Sequence, residues 1–108
     1  MNAARPIADA ETLARRARRL LGRGRLGAAL RLIDRAFAAP GVGATTLRAA
    51  IEALHAQAPS AAATDWRRIA AVYDHLAEVE PSREVERARQ RAHRRAATLV
   101  PSHGASPR

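Results

Sequence analysis

Cysteine and lysine are both absent from this 108-residue chain. Without cysteine, disulfides and thiol chemistry are excluded. Without lysine, the phosphate loop G-x-x-x-x-G-K-[ST] cannot be built from the glycines at 22, 24, 27, 41 and 43. Aromatic residues are almost missing too: one Trp, one Tyr and one Phe. The expected core is therefore thin, made of Leu, Ile and Val around one aromatic cluster. No apolar run approaches the ~18–20 residues that span a membrane. Met1-Asn2-Ala3-Ala4-Arg5-Pro6 has no apolar segment behind it, so a signal peptide is not expected and the cytoplasm is the expected location. No stretch alternates apolar and polar residues over the length of a strand.

Two residue types fill the space. Ala takes 28 positions, and all 19 basic residues are Arg. This excess suggests a GC-rich coding sequence. Ala favours helix but buries little area. The net charge of +9 is uneven: residues 1–39 carry +6, residues 40–80 carry −2 and residues 81–108 carry +5. Two basic ends flank a mildly acidic middle. Such ends attract polyanions, which governs encounter and not specificity.

The spacing predicts five helices joined by loops of two to six residues. Helix 1 spans about 9–21, with Asp9 as N-cap, Glu11 in the first turn and Gly22 as the stop. Helix 2 spans about 25–38, with a core stripe of Leu26, Leu30, Ile33 and Phe37 widened by Ala29 and Ala36, and Pro40-Gly41 ends it. Helix 3 starts after Thr45 or Thr46, either of which can cap, and Pro59 closes it. Its stripe is Leu47, Ala50, Ile51, Leu54 and Ala58. Helix 4 is capped by Thr64; Trp66, Ile69, Tyr73, Leu76 and Ala77 share one face, widened by Val72 and Val79, and Pro81 stops it. Ser82 caps helix 5, whose stripe of Val85, Ala88, Ala92, Ala96 and Leu99 is narrow and crowded by Arg, so incomplete packing is expected. The organisation expected is a flexible start (1–8), one helical region (9–100) and a disordered tail (101–108). The fold class is all-α: antiparallel helix hairpins in a stack like that of tetratricopeptide repeats.

No chemistry follows from the motifs. His55, His75, His93 and His103 include no pair with metal-ligand spacing on one helix face, and there is no H-E-x-x-H or G-x-S-x-G. Asp74, Glu78 and Glu80 read as a solvated face, and His55 as a packing or capping residue. No catalytic, cofactor or metal residue is assigned, and an enzyme is not expected. Trp66, Ile69 and Tyr73 are either core or the floor of a groove that grips a partner peptide. The run Arg15, Arg16, Arg18, Arg19 with Arg23 and Arg25 is either a solvated basic face or a site for nucleic acid. No aromatic interleaves it to stack bases. Helices 1 and 2 around a Gly turn superficially look like a helix-turn-helix, but the base-reading positions would be Arg25, Arg31 and Arg35, with no Asn or Gln.

Trp66-x-x-Ile69-Ala70-x-x-Tyr73 matches the first half of a tetratricopeptide repeat, but Pro81 arrives before the second half. A longer match begins at Leu47-Arg48-Ala49-Ala50-Ile51-Glu52-Ala53-Leu54-His55-Ala56. It continues with Thr64-Asp65-Trp66-Arg67-Arg68-Ile69-Ala70-Ala71-Val72-Tyr73-Asp74-His75-Leu76 and Pro81-Ser82. This resembles the helical, tetratricopeptide-like C-terminal extension of extracytoplasmic-function RNA polymerase sigma factors of bacteria. There L-Q-A-A-I-A-A-x-H-A precedes T-D-W-x-x-I-x-x-L-Y-D-x-L and P-S-P. Leu30, Leu32-Ile33 and Arg35-Ala36-Phe37 resemble the preceding helix, so the likeness covers about residues 26–85.

The departures are Arg48 for Gln, Ala44-Thr45 for Pro-Tyr, and an Arg-rich segment 83–91 where the family has an apolar helix. The promoter-reading domains of the family are not in the sequence, so a truncated piece unable to initiate transcription alone is expected. The resemblance implies a non-enzymatic protein-interaction module in a transcription setting. Its partner would be a protein, RNA polymerase or a regulator, with no membrane and no small-molecule substrate. The alternative is a small basic protein that binds nucleic acid nonspecifically.

Overall fold

A computed structural model describes residues 8–104. The fold is all-α: α1 Ala10–Gly22, α2 Leu26–Ala38, α3 Ala44–Gln57, α4 Trp66–Val79 and α5 Arg83–Gly104, with one 3₁₀ turn at Ala61–Ala63. The described residues contain no strand. By internal contacts the chain divides into two compact units, Met1–Ala53 and Leu54–Arg108, with the boundary inside α3. The expected flexible residues 1–7 and the last four of the expected tail lie outside the described residues.

In the first unit, Asp9 caps α1 as expected: the Thr12 N–H donates to its Oδ1 at 2.9 Å. That bond holds the Asp9 carboxyl below its usual pKa. The stop is not Gly22, which is still helical. The Arg25 N–H reaches the Leu20 carbonyl at 2.8 Å and the Gly24 N–H reaches Leu21 at 3.0 Å. Gly24 sits between them at φ +74°, a left-handed conformation that glycine adopts without strain. The three-residue turn sends α2 back along α1 as an antiparallel hairpin. Alanines line the contact: Ala10, Ala14 and Ala17 of α1 and Ala29 and Ala36 of α2 are fully buried, with Leu13, Leu32 and Ile33 among them. Ala49 and Ala53 of α3 join the same core.

The α2 stripe is rotated from the one the sequence predicts. Phe37 is 45% exposed, while Leu32 and Ala36 are buried. Small residues on both helices let the backbones approach, and the side that comes closest is the alanine side, not the one with the largest side chains. α3 also starts earlier than expected. The Leu47 N–H bonds to the Gly43 carbonyl at 3.1 Å, so Thr45 and Thr46 fall inside the first turn and neither serves as the cap. Thr46 is buried, and its hydroxyl has no hydrogen-bond partner among the described residues. Such a group costs about 1–3 kcal/mol.

In the second unit, Asp65 rather than Thr64 caps α4, accepting the Arg68 N–H at 3.2 Å. Thr64 is turned inward and donates to the Ser60 carbonyl. Ile69 and Leu76 are fully buried, but Val79, expected on the same face, is 53% exposed. Ser82 caps α5 as expected, accepting the Val85 N–H at 3.1 Å. Of the α5 stripe, Val85 and Ala92 are buried and Ala88 and Ala96 partly buried as α5 lies along α4. α5 also continues through Pro101 to Gly104, into the segment expected to be tail.

Candidate functional site

The six arginines singled out by sequence separate into two groups. All six are exposed. Arg15 pairs with Glu11 one turn earlier, at 3.4 Å. Arg18 makes a two-pronged bond to Glu52 of α3, with Nε 3.1 Å from both carboxylate oxygens and Nη2 2.7 Å from Oε2. That bond raises the Arg18 pKa. Glu11 also accepts the Thr45 hydroxyl at 3.0 Å. Glu11 and Arg18 therefore mark the edge of α1 that faces α3. Arg16, Arg19, Arg23 and Arg25 have no acidic partner among the described residues.

Helix geometry places the unpaired group. At roughly 100° per residue, Arg16 and Arg19 are about 60° apart, on a side of α1 that Glu11 and Arg18 do not share, and Arg23 follows as its C-cap. On α2, Arg31 and Arg35 are about 40° apart, on the flank away from Phe37. Both are exposed and without an acidic partner among the described residues. One guanidinium nitrogen of Arg31 lies 3.9 Å from where a Cβ on Gly27 would sit, so its head reaches back toward the turn. α3 closes the other side of the hairpin through Ala49, Ala53 and the Arg18–Glu52 bond. The two helices run antiparallel, so both Arg flanks look away from α3. One surface thus holds Arg16, Arg19, Arg23, Arg25, Arg31 and Arg35.

The aromatic candidates also divide. Ile69 is wholly inside and reaches no partner. Trp66 and Tyr73 are half-buried. The Trp66 ring meets the edge of His55, with centroids 5.3 Å apart at 79°. The Arg95 guanidinium lies over the ring at 5.2 Å, a cation–π contact. Around them opens a hollow of 260 Å³ lined by Ala61, Ala62, Trp66, Arg95 and Thr98.

A third cluster was not legible in the sequence. Asp74 of α4 accepts from His93 Nε2 at 2.8 Å and from Arg89 Nη1 at 3.2 Å. Arg89 also grips Glu86 through Nε and Nη2, both at 3.0 Å, and Gln90 donates to Glu86 at 2.9 Å. The His93 bond is the largest effect and, with Arg89, holds the Asp74 carboxyl below its usual pKa although burial opposes them. Arg89 does the same to Glu86, and its own pKa rises in turn.

These groups border a hollow of 370 Å³ that also includes Ala77 and Glu78. An Asp–His pair is a component of nucleophile activation; the residues lining this hollow include no Ser, Thr or Cys. Asp74 is thus a bonded cross-helix acceptor, not the merely solvated carboxylate expected. No group of three His, Cys, Asp or Glu that could hold a metal occurs among the described residues. None of the described helices is long and apolar enough to cross a membrane.

The chain matches no protein-family model, no curated protein and no solved structure.

Proposed function

We propose that this protein is a non-enzymatic helical interaction module of the tetratricopeptide-like kind. It works in the bacterial cytoplasm in a transcription-initiation setting, with RNA polymerase or one of its regulators as protein partner. One observation carries the reading: Trp66 is not sealed into the core but stands half-exposed at the hollow, with Arg95 over its ring. Trp and Arg are the residues that most often anchor protein interfaces, above all where a small pocket excludes water around them. The resemblance over residues 26–85 supports the choice of partner.

Trp66 is the sole Trp, so its emission reports on this site directly. Purified RNA polymerase core, titrated into the full chain, is expected to shift that emission. Ala62→Glu puts a charge into the hollow from an exposed position and is expected to abolish the shift while leaving the thermal melt unchanged. No emission change in the wild type, or full binding by a folded Ala62→Glu variant, would overturn the reading.

A further inference from the structure

We infer that the α1–α2 hairpin carries a separate site for the phosphate backbone of a nucleic-acid duplex, formed by Arg16, Arg19, Arg23, Arg25, Arg31 and Arg35. These six guanidinium groups share one surface, are exposed and have no acidic partner among the described residues. Glu11 is taken up by Arg15 and Thr45 on the other edge of α1. Asp34 is exposed on α2 about 60° from Arg31 and lowers the charge of this surface by one, which leaves it strongly positive. Like charges gathered on one face repel each other and oppose folding. An anionic ligand would remove that repulsion.

Chemistry selects the ligand. A guanidinium presents two parallel N–H groups that match the oxygens of a phosphate. From Arg16 to Arg23, α1 rises about 10 Å, the axial span of about three phosphates on one strand of a duplex. A single strand would need aromatic platforms, and this surface has none; Phe37 leaves α2 on the other flank. A membrane surface would need an apolar face beside the charges, but the apolar face of α1, with Leu13, Ala14 and Ala17, is buried in the core. Contacts to phosphate carry no sequence information, so binding should be independent of sequence.

The test is anisotropy of a labelled random-sequence duplex with the full chain, titrated at salt concentrations from about 50 to 200 mM. Affinity is expected to fall about a thousandfold across that range, with a logarithmic slope near −5. The triple variant Arg16→Gln, Arg19→Gln, Arg23→Gln should flatten the slope by about 2.7. Arg31→Gln with Arg35→Gln should flatten it by about 1.8 and serves if the triple variant fails to fold.

The control is Arg87→Gln, Arg91→Gln, Arg94→Gln. It removes the same charge from exposed positions of α5 that have no acidic partner among the described residues, and it should leave the slope within about one unit of wild type. Equal flattening by the control would show a response to net charge alone and overturn the site. So would the absence of duplex binding at 50 mM salt, or tighter binding to phosphatidylserine vesicles than to duplex at equal phosphate.

Discussion

The two hairpins use the same materials, Ala and Arg, and arrange them in opposite ways. In α4–α5, side chains cross between the helices: Asp74 of α4 collects Arg89 and His93 of α5, and Arg95 of α5 covers Trp66 of α4, while Glu86 holds Arg89 and Gln90 within α5. In α1–α2, no side-chain bond joins the two helices among the described residues; Arg15 stays on its own helix and Arg18 goes to α3. The cores differ as well. α1–α2 meet through fully buried alanines, whereas Ile69 and Leu76 fill the α4 face. The contrast shows that an arginine is tied into the structure where an acid lies across the helix interface and stays at the surface where none does.

The core contrast gives the largest expected effects. Leu76 is fully buried, so Leu76→Ala leaves a cavity and should cost about 3 kcal/mol in denaturant unfolding. In the alanine-lined hairpin the damaging change runs the other way. Ala17→Leu forces a large side chain between helices packed on Ala and should cost about 2 kcal/mol. If Ala17→Leu were tolerated without loss, the close approach of α1 and α2 would be wrong.

Helix starts sharpen the comparison at about half that size. Arg25 and Asp65 hold nearly the same N-cap backbone, φ −93°, ψ 65° and φ −84°, ψ 78°. Asp65 bonds the Arg68 N–H, but no side chain caps α2 at Arg25. Arg25→Asp should therefore stabilise the protein by about 1 kcal/mol, and Asp65→Ala should destabilise it by about the same amount. Thermal melts check both. In the duplex assay Arg25→Asp should also weaken binding, so that one substitution moves stability and affinity in opposite directions.

Most of the fold could be read before any coordinates. Helix periodicity, with Asp9 and Ser82 as caps, located every helix to within a few residues. What failed has a common physical origin. Thr46 and Thr64 have the right side chains for capping, but their hydroxyls are inside, because burial outcompeted the local bond. Phe37 looked like core by size, yet the hairpin closes on Ala29, Leu32 and Ala36, a preference set by how near two backbones come. The basic run was legible; its division was not. Glu52 lies 34 positions from Arg18, and nothing local marks that pair. The Asp74–His93 bond spans 19 positions and two helices, beyond the reach of any single-helix spacing rule.

That same bond sets the smallest effect and the one with a defined pH signature. Asp74 is held below its usual 3.8 by His93 first and Arg89 second. A carboxylate whose folded pKa is lowered stabilises the fold fully above its unfolded value and loses that contribution as pH falls toward the folded one. Its side chain is 46% exposed, so solvent screening keeps the gain below about 1 kcal/mol. Asp74→Asn should therefore be slightly less stable than wild type at neutral pH, and the gap should close as pH drops below 3.8. Denaturant midpoints for the two proteins, measured in parallel from pH 7 downward, would show it. A gap that persisted unchanged in acid would mean that the amide fails for steric reasons and that the charge of Asp74 does not hold α4 to α5.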